Sequence, residues 1–236
     1  MCARIVAART WGKVSATAGC EMLPELSDKN ANIASIAVQA IADAALLSEI
    51  IDGLKLKVNT KSKEETVRYN CFKTLMEISI SRPELLYPTW DTFAAMLGSD
   101  NSYNKMAAVH LIAGLVKGDS QHRFEEILDR YFGLLDDKSM IVAIYVASNA
   151  GKIVSARPSL ETRVTQKLLA IEDTHHTPSR RALISAGAIE SFGEYWDALS
   201  NKEQVIRFVE RQQQSESPKT RKVARDFLRK AESKSE

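Results

Sequence analysis

Apolar residues along this chain recur three and four positions apart far more often than they alternate with polar ones. Leu86, Trp90, Phe93 and Leu97 step by four, three and four, and Phe124, Leu128, Tyr131 and Leu135 repeat the same steps. Side chains at that spacing share one face of an α-helix, so the pattern predicts amphipathic helices over 84–98 and 121–135. Start signals agree. Ser62-Lys-Glu-Glu65 and Ser200-Asn-Lys-Glu203 read as capping boxes, and Thr177-Pro178 and Ser217-Pro218 as an N-cap residue before a first-turn proline. With 10 glycines, 6 prolines and no strand-like alternation in 236 residues, the chain is expected to be mostly helix.

The helical segments also repeat. YNCFKTLMEIS from Tyr69, MAAVHLIAGLV from Met106, AIYVASNAGKI from Ala143 and SAGAIESFGEY from Ser185 start 37, 37 and 42 residues apart. Aligned, they share an apolar fourth column of Phe72, Val109, Val146 and Ala188. The eighth column is Met76, Ala113, Ala150 and Phe192, and the third, mostly small, is Cys71, Ala108, Tyr145 and Gly187. RIVAARTWGKV from Arg4 joins with Ala7 and Trp11, and SIAVQAIADAA from Ser35 joins with Val38 and Ala42. Ile33, Val67, Ile141 and Leu183, two positions before four of the starts, extend the same expected core face. Gly151 of AGKIV shares a column with Gly12, Gly114 and Gly193, which marks a close approach of neighbouring helices. A phosphate loop would need glycine at Val146 and a hydroxyl at Ile153, so that reading fails.

A second helix follows most rows, at roughly 46–58, 84–98, 121–135, 158–171 and 201–212, giving a helix-turn-helix unit of about forty residues. In TVRYNCFKTL, Val67, Arg68 and Leu75, with Cys71 at the small position, match a V-R-x-x-A-x-x-x-L first-helix pattern. DKSMIVAIYVASNAGKI runs similarly from Asp to Val into small residues, whereas the Met106 and Ser185 rows lack the Asp and Arg ladder. On these marks the chain resembles the HEAT and armadillo-like repeat family. The resemblance implies a right-handed α-α superhelix of about six helix pairs, with units at 2–27, 28–60, 62–99, 102–136, 137–173 and 177–213 and a capping helix over 217–233. It also implies a non-catalytic scaffold binding a protein or peptide on a concave surface, which is expected to be lined by the second helices.

Composition narrows the alternatives. A net charge of +2 leaves no overall field toward nucleic acid or acidic membranes. Three scattered cysteines, Cys2, Cys20 and Cys71, without a Cys-x-x-Cys, point to a reducing compartment, read as the cytoplasm. Asp43, Glu49 and Asp52 interrupt the longest apolar run, so no membrane span is expected. Residues 1–20 hold Arg4, Arg9 and Lys13 with no acid, a bias shared with transit peptides, yet they fit the repeat and are read as its first unit.

Candidate chemistry is sparse, and neither cofactor nor metal is expected. His175-His176, with Glu172 and Asp173 nearby, is the one dense group of metal-type ligands. Without a further His or Cys beside it, the pair reads as a solvated turn. Some DNA glycosylases for alkylated bases resemble stacked HEAT-like helices, and here Trp90-Asp91 and Trp196-Asp197 would supply aromatic and acid, but adjacent helical residues diverge by about 100°. Nucleic-acid binding is the main competing reading. It would draw on Lys55, Lys57, Lys61 and Lys63, while Glu125, Glu126, Asp129, Asp136 and Asp137 would repel phosphate. The partner-binding patch is expected at the exposed turn His175, His176, Arg180 and Arg181 together with the terminal basic stripe Lys222, Arg225 and Arg229.

Overall fold

The computed structural model describes residues 24–56 and 63–233. A 3-10 turn at Pro24–Ser27 precedes α1 (Ile33–Ala42) and α2 (Ala44–Leu54). Next come α3 (Lys63–Ser81), α4 (Pro83–Leu86), α5 (Trp90–Met96), α6 (Ser102–Leu115), α7 (Arg123–Gly133) and α8 (Met140–Ala156). The chain ends with α9 (Glu161–Leu169), α10 (Pro178–Glu194), α11 (Lys202–Gln212) and α12 (Pro218–Ser233). The described residues contain no strand. The Arg4 row with Gly12, most of the unit expected over 2–27, and Ser62 itself lie outside them.

Local chemistry explains the helix ends. Pro178 and Pro218 open α10 and α12 as first-turn prolines, and Ser217 Oγ accepts the Thr220 amide at 3.3 Å. α11 starts one residue later than its Ser200 box implied. Asn201 is the cap, its Oδ1 accepting the Gln204 amide at 3.1 Å, because Ser200 is drawn to the buried Glu161 carboxylate, donating from Oγ at 2.5 Å. The helix expected over 84–98 is interrupted by a 3-10 turn at Tyr87–Thr89, where Pro88 lacks an amide hydrogen to donate. Its four apolar residues are buried nevertheless, as are all four of the 121–135 stripe.

The helices form two layers that share one core. α1, α3, α6, α8, α10 and α12 pack in succession, each directly on the next. Small residues permit this. Gly114 of α6 meets Ser79 of α3, Gly187 of α10 meets Ser148 and the Ile144 carbonyl of α8, and Gly151 of α8 meets Glu194 of α10. Hydroxyls stitch the same layer, Ser191 donating to the Ala147 carbonyl at 2.7 Å and Thr220 to the Ala182 carbonyl at 2.8 Å. The other layer, α5, α7, α9 and α11, is bridged instead by long charged side chains. Arg123 reaches Asp91, Arg163 and Lys167 reach Asp129, and Arg211 reaches Glu172.

A stack whose two layers differ in spacing curves toward the closer layer. On that basis the first helices of each pair, which pack directly on one another through small residues, form the inner layer, where the second helices were expected. The reason lies in side-chain size, since glycine, alanine and serine at the first-helix contacts bring backbones closer than arginine-carboxylate bridges do. Two further placements are corrected. Val38 is 67% exposed and Ala42 is also exposed, while Ile36, Ala37 and Ala40 form the buried face of α1. A single residue, Asp43, joins α1 to α2 and caps α2 through the Ala45 and Leu46 amides. Ile141, expected in the core column, lies on the inner surface at 45% exposure.

Candidate functional site

The solvent side of the inner layer is a stripe of helical positions spaced three and four apart. α3 contributes Tyr69, Lys73, Met76 and Ile80, α6 contributes Tyr103, Met106 and His110, α8 contributes Ile141, Tyr145, Ser148 and Lys152, and α10 ends the stripe with Glu190 and Glu194. Rings couple these helices. Phe72 meets Tyr103 edge-on at 6.2 Å between centroids and His110 at 5.8 Å, and His110 meets Tyr145 at 4.5 Å. Such contacts hold the aromatic side chains in fixed orientations while leaving one side of several of them to solvent.

Polar groups are threaded through the same stripe. Asn149, buried beneath Tyr145, donates to the Tyr145 carbonyl at 2.8 Å and faces His110 Nδ1 at 3.1 Å, and Lys152 Nζ donates to Asn149 Oδ1 at 3.1 Å. Burial, with Lys152 as a lesser cause, lowers the His110 pKa to about 4, so the imidazole is neutral near pH 7. The Arg68 guanidinium covers the Tyr103 ring at 3.9 Å, and Lys73 Nζ sits 4.9 Å from the Tyr69 ring centre. Burial raises the Glu194 carboxyl, and Lys152 works against that shift. The face thus mixes aromatic and apolar side chains with Lys73 and Lys152 over α3, α6 and α8, and is acidic at α10, where Lys219 of α12 reaches Glu190 at 3.7 Å.

No family model matches the sequence, and no curated protein does. Among solved structures, the chain is similar to a designed armadillo repeat protein in complex with the peptide (KR)4. The TM-score is 0.50 at 17% identity, over 89% of this chain and 98% of that one. The fold is armadillo-like.

Within this armadillo-like array, the patch expected from sequence is split. His175 is exposed, but His176 is only 4% exposed and cannot present itself to a partner, which corrects its assignment to an exposed turn. Its ring lies beside the Leu135 backbone and the Asp136 carboxylate, in the turn of the preceding helix pair. Arg180 is exposed, whereas Arg181 is half-buried and donates to the Glu172 carbonyl. Lys222, Arg225 and Arg229 do share an exposed face of α12, and Arg229 pairs with Asp226 at 3.0 Å. Thr220 ties the start of α12 to the start of α10, so Arg229 lies about 14 Å further along the axis from the Arg180 end.

Other candidates are absorbed by the fold. Trp90 and Trp196 are core residues, 1% and 6% exposed, so neither can stack on a base. Of the acidic stretch, Asp137 is buried against Lys105, Asp129 holds Arg163 and Lys167, and Glu125 meets His122 and Arg157. Lys55 pairs with Asp52, and Lys57 and Lys61 lie outside the described residues. Among the described helices, none is long and apolar enough to cross a membrane. Sequence reasoning missed the inner aromatic stripe, although Tyr69, Tyr103 and Tyr145 were visible at helical spacing beside Met76 and Met106.

Proposed function

We propose that the chain is a non-catalytic scaffold that binds an extended, partly apolar peptide segment of a partner protein along the inner face of α3, α6 and α8. The observation carrying this reading is the location of exposed apolar surface. Four large hydrophobic side chains stand out to solvent among the described residues, and three of them, Tyr69, Ile80 and Ile141, belong to this one stripe. Exposed apolar side chains gathered on one layer, with Met76, Met106 and Tyr145 partly exposed among them, are the kind of surface a domain keeps for a partner. Tyrosine and methionine suit it, the first as a rigid anchor with a polar tip, the second as an adaptable filler. The similar designed protein holds a peptide, which supports the same class of ligand here.

A random linear peptide library panned on the whole chain tests the reading. Enriched peptides should bind with about tenfold or greater loss on Tyr145→Ala and on the exposed Ile141→Ser, each an anchor-scale effect. They should be insensitive to charge reversal at Lys222, Arg225 and Arg229. Enrichment of peptides that ignore both inner-face substitutions, or salt-sensitive binding of single-stranded DNA that depends on the α12 stripe, would overturn it.

A further inference from the structure

The turn after α9 and the turn after α7 bring three metal-type side chains together from positions far apart in sequence. Asp136 follows α7, and His175 and His176 precede α10. One ligand atom from each of the three lies within 4.8 Å of the others. His175 is fastened to Asp136 twice, its amide donating to Oδ1 at 2.7 Å and its ring Nδ1 lying 2.5 Å from the same oxygen. The two imidazoles lie 4.3 Å apart with their planes tilted by 35°, so the adjacent rings sit side by side in the turn.

His176 is the unusual member. It is buried at 4% exposure, and neither Nδ1 nor Nε2 makes a hydrogen bond of good geometry, the Leu135 backbone being its one polar backbone neighbour. A buried imidazole whose nitrogens lack well-formed hydrogen bonds carries a desolvation cost that a metal ion would relieve. Burial, then the adjacent His175, holds the His176 pKa below its ordinary value, so the ring is a neutral donor at pH 7. The Asp136 carboxyl is held below the usual range, chiefly by the His175 amide, and is ionised there.

We propose that Asp136, His175 and His176 form a binding site for a borderline divalent metal ion such as Zn2+, which clips two successive helix pairs together. Two imidazoles and a carboxylate with remaining positions left to water are a ligand set that zinc accepts. Ligand atoms around tetrahedral zinc stand about 3.4 Å apart, so the widest separations here must close by up to about 1.4 Å while the His175–Asp136 pair opens by about 0.9 Å. The side chains that must move, His175 and Asp136, are each 53% exposed, while the buried His176 stays fixed. Metal entry replaces the proton shared between His175 and Asp136. Arg180, the nearest cation to His176, weakens the site without supplying a competing ligand.

Titration calorimetry of the whole chain with ZnCl2 should find one equivalent bound at this site. A melting temperature measured with excess Zn2+ should exceed that in EDTA by about 2–8 °C, the scale of ligand linkage for a chain of this size. Cobalt should give visible d–d bands without thiolate charge transfer, which separates this site from the cysteines. Asp136→Asn and His175→Gln, both at exposed positions, should weaken binding about tenfold or more. His176→Gln should abolish it if that variant folds, and His122→Gln should change nothing. Absence of binding at millimolar Zn2+, thiolate bands with cobalt, or unchanged affinity in Asp136→Asn would overturn the proposal.

Discussion

Gly151 of α8 lies so close to Glu194 of α10 that a methyl group on it would come within 2.6 Å of the carboxyl carbon and 2.9 Å of the Glu194 Cβ. The second contact involves the root of the side chain, so rotation of the carboxylate cannot relieve it. Ala at position 151 is therefore expected to lower stability by about 1–3 kcal/mol of overpacking, partly offset by up to about 1 kcal/mol of helix propensity. Gly133 of α7 has nothing within 4 Å of the same position, and Gly133→Ala should be neutral or stabilising. Thermal melts should show a lower melting temperature for Gly151→Ala and an equal or higher one for Gly133→Ala. Equal shifts would remove close approach as the reason for glycine in the inner layer.

Asp119 organises the entry to α7. Its buried carboxylate accepts the Tyr87 hydroxyl at 2.6 Å, the Arg123 amide at 3.0 Å and the Phe124 amide at 2.8 Å. It thereby replaces the cap that His122, in a left-handed conformation at φ 58°, does not provide. Asp119→Ala is expected to cost about 2–4 kcal/mol, since it orphans three donors in or near the core. A denaturant midpoint within error of the parent chain would contradict this.

Acid sensitivity should come partly from His110. Its folded pKa, about 4, lies below the 6.5 of an ordinary imidazole, so between these values the unfolded chain binds the extra proton. Stability from this group is complete above about pH 6.5 and declines as the pH falls toward 4. His176 acts in the same direction, and Glu194, raised by burial, acts oppositely. His110→Gln should flatten the stability slope over pH 4–6.5 by about 1–3 kcal/mol in total. A slope unchanged from the parent chain would show that His110 is not buried in its neutral form.

Helix existence was legible because burial follows spacing. Phe72, Val109, Val146 and Ala188 occupy one column in the sequence and one buried face in the fold. The glycine column was legible for the same reason at Gly114 and Gly151, whereas Gly193 meets only Phe227, at 4.0 Å. Layer identity was not legible. It depends on which helix of each pair carries the small contacts to its successor, and the alignment gave the small columns without their neighbours. The Asp136, His175 and His176 cluster was hidden for a plainer reason. Its members are separated by 39 residues, one full helix pair, and only stacking brings them together.

Amide hydrogen exchange of the whole chain, with and without a peptide enriched by panning, tests the central claim most directly. The account predicts added protection in α3, α6 and α8 with α7, α9 and α11 unchanged. Protection confined to the outer layer or to α12 would contradict it.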